Sequence, residues 1–382
     1  MITLRRQFLG LGFITASSIL AFHNAQAMSG PTAITIDGGP LGSLSLSGGV
    51  DGYGYYVSGT PSNYQADGIN VSNALIELQK TSGEIQFTVE IGSNQAPLTL
   101  GAPAYDFANG HLNQTSVSQF STGPLYLGYV TVAPTGSPVT ISGGQFGSLE
   151  GYESNVDWND GTELTTALFD VENSNNRGVE AVLTEGTVTA TVLYGDETDT
   201  GAFDAVQALV TDAFNANNSL NVYGTLTYGR TGPNTFAYNG GQTGEGNAFS
   251  NSNMVGAYYS YTMGNLNLVP EVQFQYTHVD HKIQLDSYGS NFGAALFGDY
   301  TVPNSPYSIG GWAEYYSSNG PYTYLVTPHA QMVGFSVAPT WQYKDLFARG
   351  SVGYSYLISG AHPSYDGGKG EFIAAAEAGL LF

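Results

Sequence analysis

The sequence predicts an all-β protein, a single up-and-down antiparallel transmembrane β-barrel of about sixteen strands with short periplasmic turns and long extracellular loops. Three observations predict it. Apolar and polar residues alternate in short stretches along most of the chain. The connections between those stretches alternate short and long. The last stretch, GEFIAAAEAGLLF from Gly370 to Phe382, also alternates and closes on an aromatic residue.

In chain order, residues 1–27 read as a signal peptide. Arg5 and Arg6 make a basic start, Phe8 to Phe22 is mostly apolar, and Ala25-Gln26-Ala27 offers small residues for cleavage. Arg5-Arg6-Gln7-Phe8-Leu9 also resembles a twin-arginine signal, but that route carries folded cargo and a lipid-facing barrel does not fold in water beforehand. The signal holds two of the nine Lys+Arg and none of the 31 Asp+Glu, so the remaining chain carries about −24. That field excludes nucleic acid as a partner. With no Cys there is neither a disulfide framework nor a thiolate site. Residues 28–44 read as a periplasmic lead-in and 45–382 as the barrel.

Clean alternation marks Glu84–Gly92, where Ile85, Phe87, Val89 and Ile91 oppose Gln86, Thr88 and Glu90. The same pattern recurs at Thr187–Tyr194 and Leu220–Gly229. It returns around Val272, Phe274 and Tyr276, and again at Phe335–Tyr343. The full set of strands is 46–59, 69–80, 84–94, 125–135, 138–149, 176–184, 187–195, 204–214, 219–230, 253–264, 266–280, 288–302, 306–318, 333–344, 346–358 and 370–382. Connections after even-numbered strands are short, as at Thr81-Ser82-Gly83 and Asn265. Most after odd-numbered strands are long: 95–124, 150–175, 231–252, 319–332 and 359–369. A soluble sandwich has no reason to sort its loops by parity; a barrel with one end in the periplasm does. The last strand must pair with the first, because an open edge in hydrocarbon leaves backbone groups without partners.

Tyr258, Tyr259, Tyr261, Tyr315, Tyr316, Tyr354 and Tyr356 lie near strand ends and suit the boundary between lipid and water. Pro270 and Pro339 fall inside strands and, lacking a ladder donor, should sit near a rim or bulge. Asn70–Lys80 shows no clean alternation, which leaves its register open.

The stretch 125–195 resembles the OmpL-like family of β-barrel porins. The residues that carry the resemblance are LYLGYVTV, Gly144-Gln145-Phe146 at a strand end, Trp158-Asn159 in the following loop, the apolar segment from Thr165 to Phe169, and Gly178-Val179 opening the next strand. Asp160-Gly161-Thr162-Glu163 stands where the family has an aromatic-rich loop with Arg. The resemblance implies an outer-membrane barrel that conducts small solutes, in a Gram-negative bacterium.

If the greasy faces meet lipid, the polar faces line a channel. Glu90, Glu271, Asp299, Glu314, Arg349 and Glu377 then point inward, and five acids against one base make a cation-preferring pore. The segment 150–175 is the third long loop and the candidate constriction. It carries Glu150, Glu153, Asp157, Asp160, Glu163, Asp170 and Glu172 without a Lys or Arg, and Arg177 just after it is expected to face it across the pore. Asn155-x-Asp157-x-Asn159 has part of a calcium-loop spacing. Asp160 occupies the Gly position of such a loop and Thr166 the closing Glu position, so neither metal nor other cofactor is assigned.

The expected partners are outer-membrane lipid, small hydrophilic solutes or cations, and the barrel-insertion machinery through the strand ending at Phe382. A homo-oligomer is compatible with this reading. Two other classes compete: a secreted β-rich adhesin, which would be soluble without detergent, and a barrel hydrolase. The second needs His with a nucleophile. His278, Asp280 and His281 have no nucleophile-elbow or zinc motif beside them, and Gly240–Gly246 lacks a phosphate-loop Lys, so no catalytic residue is assigned.

Overall fold

The computed structural model describes residues 28, 30, 33–59, 66–94, 98–100, 124–173, 175–197, 200–231, 248, 250–320, 329–359 and 368–382. The signal segment, His111, His362 and the Gly240–Gly246 stretch lie outside the described residues.

Sixteen long strands form one closed ring. They are Ser43–Val57 (β1), Asp67–Lys80 (β2), Ile85–Asn94 (β3), Leu125–Val132 (β4), Val139–Gly147 (β5), Asn175–Glu185 (β6), Val188–Asp196 (β7) and Phe203–Asn215 (β8). The second half comprises Asn218–Thr227 (β9), Asn253–Met263 (β10), Leu266–Thr277 (β11), Gly289–Thr301 (β12), Tyr307–Asn319 (β13), Gln331–Tyr343 (β14), Leu346–Ser359 (β15) and Gly370–Leu381 (β16). Each pairs antiparallel with its sequence neighbours, and β16 closes on β1 through Leu380↔Val50 and Leu381↔Gly49. Phe382 extends the seam: its N–H donates to the Gly48 carbonyl at 2.8 Å, and the Gly48 N–H returns the bond to Phe382 at 2.8 Å. A short strand, Ile34–Asp37, lies within the segment read as a lead-in and pairs with the start of β1.

The turns at one end are short, although Ala133–Pro138 between β4 and β5 is longer than the Gly136-Ser137 expected. Gly186-Thr187 joins β6 to β7, Gly264-Asn265 joins β10 to β11, and Lys344-Asp345 joins β14 to β15. Gly186 and Gly264 take φ of +63° and +61°, the left-handed conformation that a two-residue hairpin asks of its turn. Among the described residues no helix is long and apolar enough to cross a membrane.

The two faces of each strand divide by polarity. Val89, Val192, Val222, Val255, Val272, Leu296, Phe335 and Val337 are exposed on the outside, whereas Gln86, Thr88, Thr191, Gln207, Asn221, Gln273 and Gln275 are buried within. Hydrocarbon is the solvent that suits that outer belt, and alternation puts polar groups in the lumen. Replacing Leu296 by Arg, midway along β12 between Pro270 and Ala313, is therefore expected to cost about 2–4 kcal/mol. Urea titration of the protein folded into lipid vesicles measures it.

The structure settles one open register and differs from two local expectations. The irregular β2 contains a bulge, where pairing with β1 jumps from Val50↔Ala74 to Gly52↔Val71. Ser72 and Asn73 are thereby both buried, which breaks the alternation seen in the sequence. Pro270 and Pro339 sit well inside their strands rather than at a rim. Each pairs with one neighbour, opposite Leu296 and Ile309, while the ladder to the other neighbour skips, from Tyr258↔Glu271 to Tyr261↔Leu268 and from Val337↔Val352 to Thr340↔Arg349. The missing donor therefore costs no ladder bond at those positions. Tyr258 and Tyr316 belong to no outer girdle: both are buried within the barrel, while Tyr354 and Tyr356 are exposed outside.

Candidate functional site

The segment between β5 and β6 lies inside the barrel. It folds as a 3-10 turn Asp157–Asn159, a two-residue strand Leu164–Thr165 and a one-turn helix Ala167–Asp170 (α1). Its apolar residues Leu164, Ala167, Leu168 and Val171 are buried against inward-facing Tyr53, Tyr258, Phe297, Trp312, Met332 and Ile373. Leu164–Thr165 also pairs in parallel with Leu98–Thr99. The lumen thus contains an apolar core of its own, distinct from the outer belt.

Polar wall residues fasten this segment by its backbone, as an irregular stretch in a confined space requires. Gln273 donates to the Leu168 carbonyl at 2.7 Å and Gln275 to the Val171 carbonyl at 2.9 Å. The Trp312 indole N–H donates to the Leu164 carbonyl at 2.7 Å, and the Glu163 N–H donates to Ser351 Oγ at 3.1 Å. Close approach has its own requirement. Gly161 of the segment and Gly310 of β13 lie back to back, and a Cβ on Gly310 would overlap the Gly161 carbonyl.

The strongest fastening is Arg349 on β15, whose side chain is fully buried. Its Nε donates to Glu377 Oε2 at 2.7 Å, and its Nη2 lies 2.6 Å from Glu377 and 3.3 Å from Glu163. Nη1 donates to the Asp160 carbonyl at 2.7 Å and to the Asp157 carbonyl at 3.1 Å, and Nη2 reaches the latter at 3.1 Å as well. A planar guanidinium with five fixed donors can bind two carboxylates and two carbonyls at once; an ammonium cannot.

The acids divide between the strands and the inserted segment. Glu90, Glu271, Asp299, Glu314 and Glu377 all occupy inward positions on their strands, as does Arg349. Glu314 Oε2 accepts the Ala167 N–H at 2.8 Å at the start of α1, and Glu271 accepts the Tyr223 hydroxyl at 2.7 Å. Asp299 lies with Glu153, Asp160 and Trp312 around a small cavity beside Gly161. Glu90 faces Glu77 across the β2–β3 pair.

Within the inserted segment, Glu150 accepts the Asn173 N–H at 2.7 Å and the Thr225 hydroxyl, and Glu153 accepts the Thr166 N–H at 3.1 Å. Asp160 accepts the Ser154 N–H at 3.0 Å, Glu172 is buried beside Gly151, and Asp170 is half-buried on α1. Burial pushes the Glu150, Glu153, Asp160, Glu163 and Glu172 carboxyls above the ordinary range. Asp157 accepts Ser72 Oγ at 2.5 Å and Asn73 Nδ2 at 2.6 Å, which ties the 3-10 turn to the β2 bulge.

Arg177 does not face this segment across the lumen. It shares the parity of Val179 and Leu183, which are exposed on the outer surface, and pairs with Asp196 on β7 at 2.9 Å. Nor does the Asn155-x-Asp157-x-Asn159 spacing make a calcium loop: the Asn155 carbonyl accepts Asn94 Nδ2 at 2.8 Å while Asp157 turns to β2. Sequence reasoning missed Asp51, Ser72 and Asn73. Asp51 shares its inward face with Tyr53 and Tyr55, while Gly52 and Gly54 occupy the outer face, so polarity alone did not mark the lumen side there. Around the expected His cluster, His281 Nδ1 lies 2.8 Å from Asp286 and Arg230 pairs with Asp280, all near the end of β11.

A model of the family described as "Putative beta-barrel porin-2, OmpL-like" matches residues 43–382. No curated protein matches the chain. Among solved structures it is similar to an anion-selective porin from Comamonas acidovorans, at 10% identity and TM-score 0.57 over 89% of this chain and 99% of that one. The outer-membrane-expressed OmpT of Vibrio cholerae aligns at 9% identity and TM-score 0.55 over 89% and 98% of the two chains. The outer-membrane channel DcaP of Acinetobacter baumannii aligns at 11% and 0.52 over 89% and 97%. At such identities the likeness is one of fold.

Proposed function

The chain belongs to the OmpL-like β-barrel porin family, and on that premise we propose that it passes small hydrophilic solutes across the outer membrane of a Gram-negative bacterium and prefers cations. Family and fold support general porin function and point to a non-enzymatic channel. The preference for cations rests on one observation: among the described residues, the inward-facing strand acids, Glu77 and Glu90 included, share the lumen with one inward-facing base, Arg349. Likeness to an anion-selective porin carries no weight against this, since selectivity lies in lumen charges and not in the ring of strands. The exposed apolar belt argues against a soluble adhesin. Outer-membrane lipid would cover that belt, and the strand ending at Phe382 would engage the insertion machinery. Association into a homo-oligomer fits the same reading.

Recordings in planar bilayers under a KCl gradient test the proposal. The reversal potential is expected to have the sign of potassium preference; chloride preference would overturn it. Glu77→Gln together with Glu90→Gln should move the reversal potential toward zero, because these two acids face each other away from the groups that fasten the inserted segment. Glu271 and Glu314 are poorer choices, since both hold partners in place.

A further inference from the structure

We propose that Asp51, Asp157 and Glu377 form a binding site for one divalent cation of the calcium type, which joins the inserted segment to the barrel seam. One carboxylate oxygen from each of the three lies within 4.8 Å of the others, and all three residues are buried. Calcium binds oxygen at about 2.3–2.6 Å, so two ligands on opposite sides of the ion stand roughly 4.6–5.2 Å apart. The spacing of the three oxygens suits an ion held among them. The ligands come from β1, from the 3-10 turn of the inserted segment and from β16, which sequence separation hides completely.

A second observation points to a missing positive charge. Glu377 Oε1 has no hydrogen-bond partner, and neither does Oε1 of the adjoining Glu163; both side chains are fully buried. The donors present leave those two oxygens unserved. Asn73 N–H goes to Asp51 at 2.6 Å, Asn73 Nδ2 is shared between Asp157 at 2.6 Å and Asp51 at 3.3 Å, Ser72 Oγ goes to Asp157, and Arg349 serves Glu377 and Glu163 through their Oε2 atoms only. Four buried acidic side chains, Asp51, Asp157, Glu163 and Glu377, are thus gathered with one guanidinium, which reaches the carboxyls of only the two glutamates. Isolated buried charge of that size is strongly unfavourable, and a hard dication with oxygen ligands is the species that offsets it. Asn73 and Ser72 fix the orientation of two ligands from outside, as supporting hydrogen bonds do around metal ions.

A cation at these carboxyls would hold the segment in place, a property separate from ion selectivity. A cation site in a non-conducting barrel and a conducting barrel without the site are separately observable. Terbium replaces calcium at oxygen sites and emits when excited through a nearby tryptophan; Trp158 adjoins Asp157 in the chain and is buried. The detergent-folded full chain is titrated with Tb³⁺ and then with competing Ca²⁺. We expect saturable sensitised emission displaced by Ca²⁺, and a loss of Tb³⁺ affinity of about tenfold or more in Asp51→Asn and in Glu377→Gln. Should either variant fail to fold, the wild-type chain still decides: Ca²⁺ is expected to raise the temperature at which the folded electrophoretic form is lost, and EDTA to lower it. Absence of saturable emission overturns the proposal, as does unchanged affinity in the folded variants or a melting temperature indifferent to Ca²⁺ and EDTA. In each of those cases shared protons, and not a metal, balance the carboxylates.

Discussion

Replacing Arg349 by Met is expected to release the inserted segment from the wall and to destabilise the folded protein by about 3–5 kcal/mol. The guanidinium is the one base that touches Glu163, Glu377 and the carbonyls of Asp157 and Asp160 together. Its removal strands two buried carboxylates and uncovers two carbonyls. Single-channel recordings should show a larger and noisier conductance, and equilibrium unfolding should show the loss of stability. Adding Glu163→Gln and Glu377→Gln to Arg349→Met should recover part of that stability, because a neutral network of similar shape leaves no charge to desolvate.

The pH dependence of the same contact follows from the acids of the segment. Burial raises the Glu153, Glu163 and Glu172 carboxyls above 4.5, so the docked segment binds protons that a released one would lose. Docking is accordingly complete below the ordinary carboxylate range and weakens as pH rises through the raised values. With EDTA present, alkaline pH should open the wild-type channel, and Arg349→Met should open at lower pH than wild type. A conductance that instead grew with acid would contradict the assignment.

The second large effect is expected from deleting Gly370–Phe382. Without β16, the facing edges of β15 and β1 lose their partners along the whole seam, from Tyr356↔Gly370 to Leu381↔Gly49. In hydrocarbon each unpaired backbone group costs several kcal/mol, so the ring does not form with a gap. The truncated chain should show no heat-sensitive shift in electrophoretic mobility and should not insert into vesicles. Phe382→Ala keeps the backbone exchange with Gly48 and should fold, only less stably.

The ring was legible in the sequence because a period of two is a local signal and lipid enforces it strictly. Strands such as β3, β11 and β14 declare their faces through every second residue. Register failed in β2 for the physical reason that a bulge turns Ser72 and Asn73 to the same side. The inward-facing Glu90, Glu271, Asp299, Glu314, Arg349 and Glu377 were legible from the same period. Their partners were not, since contacts such as Arg349 with Asp160 or Trp312 with Leu164 join residues far apart in the chain. Arg177 misled because proximity to the loop suggested an inward direction that parity denies it. Asp51 stayed hidden beside Tyr53 and Tyr55, aromatic neighbours on the same face that pack in the lumen.

Arg349 and Glu377 sit on the last two strands of the ring, β15 and β16, while the segment that Arg349 grips lies between β5 and β6. A partly made polypeptide thus carries an acidic, unsecured insert until its final staves arrive. Capture of that insert and completion of the cylinder become the same late event, and an intermediate stalled short of it would present its carboxylates to water, open to whatever binds them first.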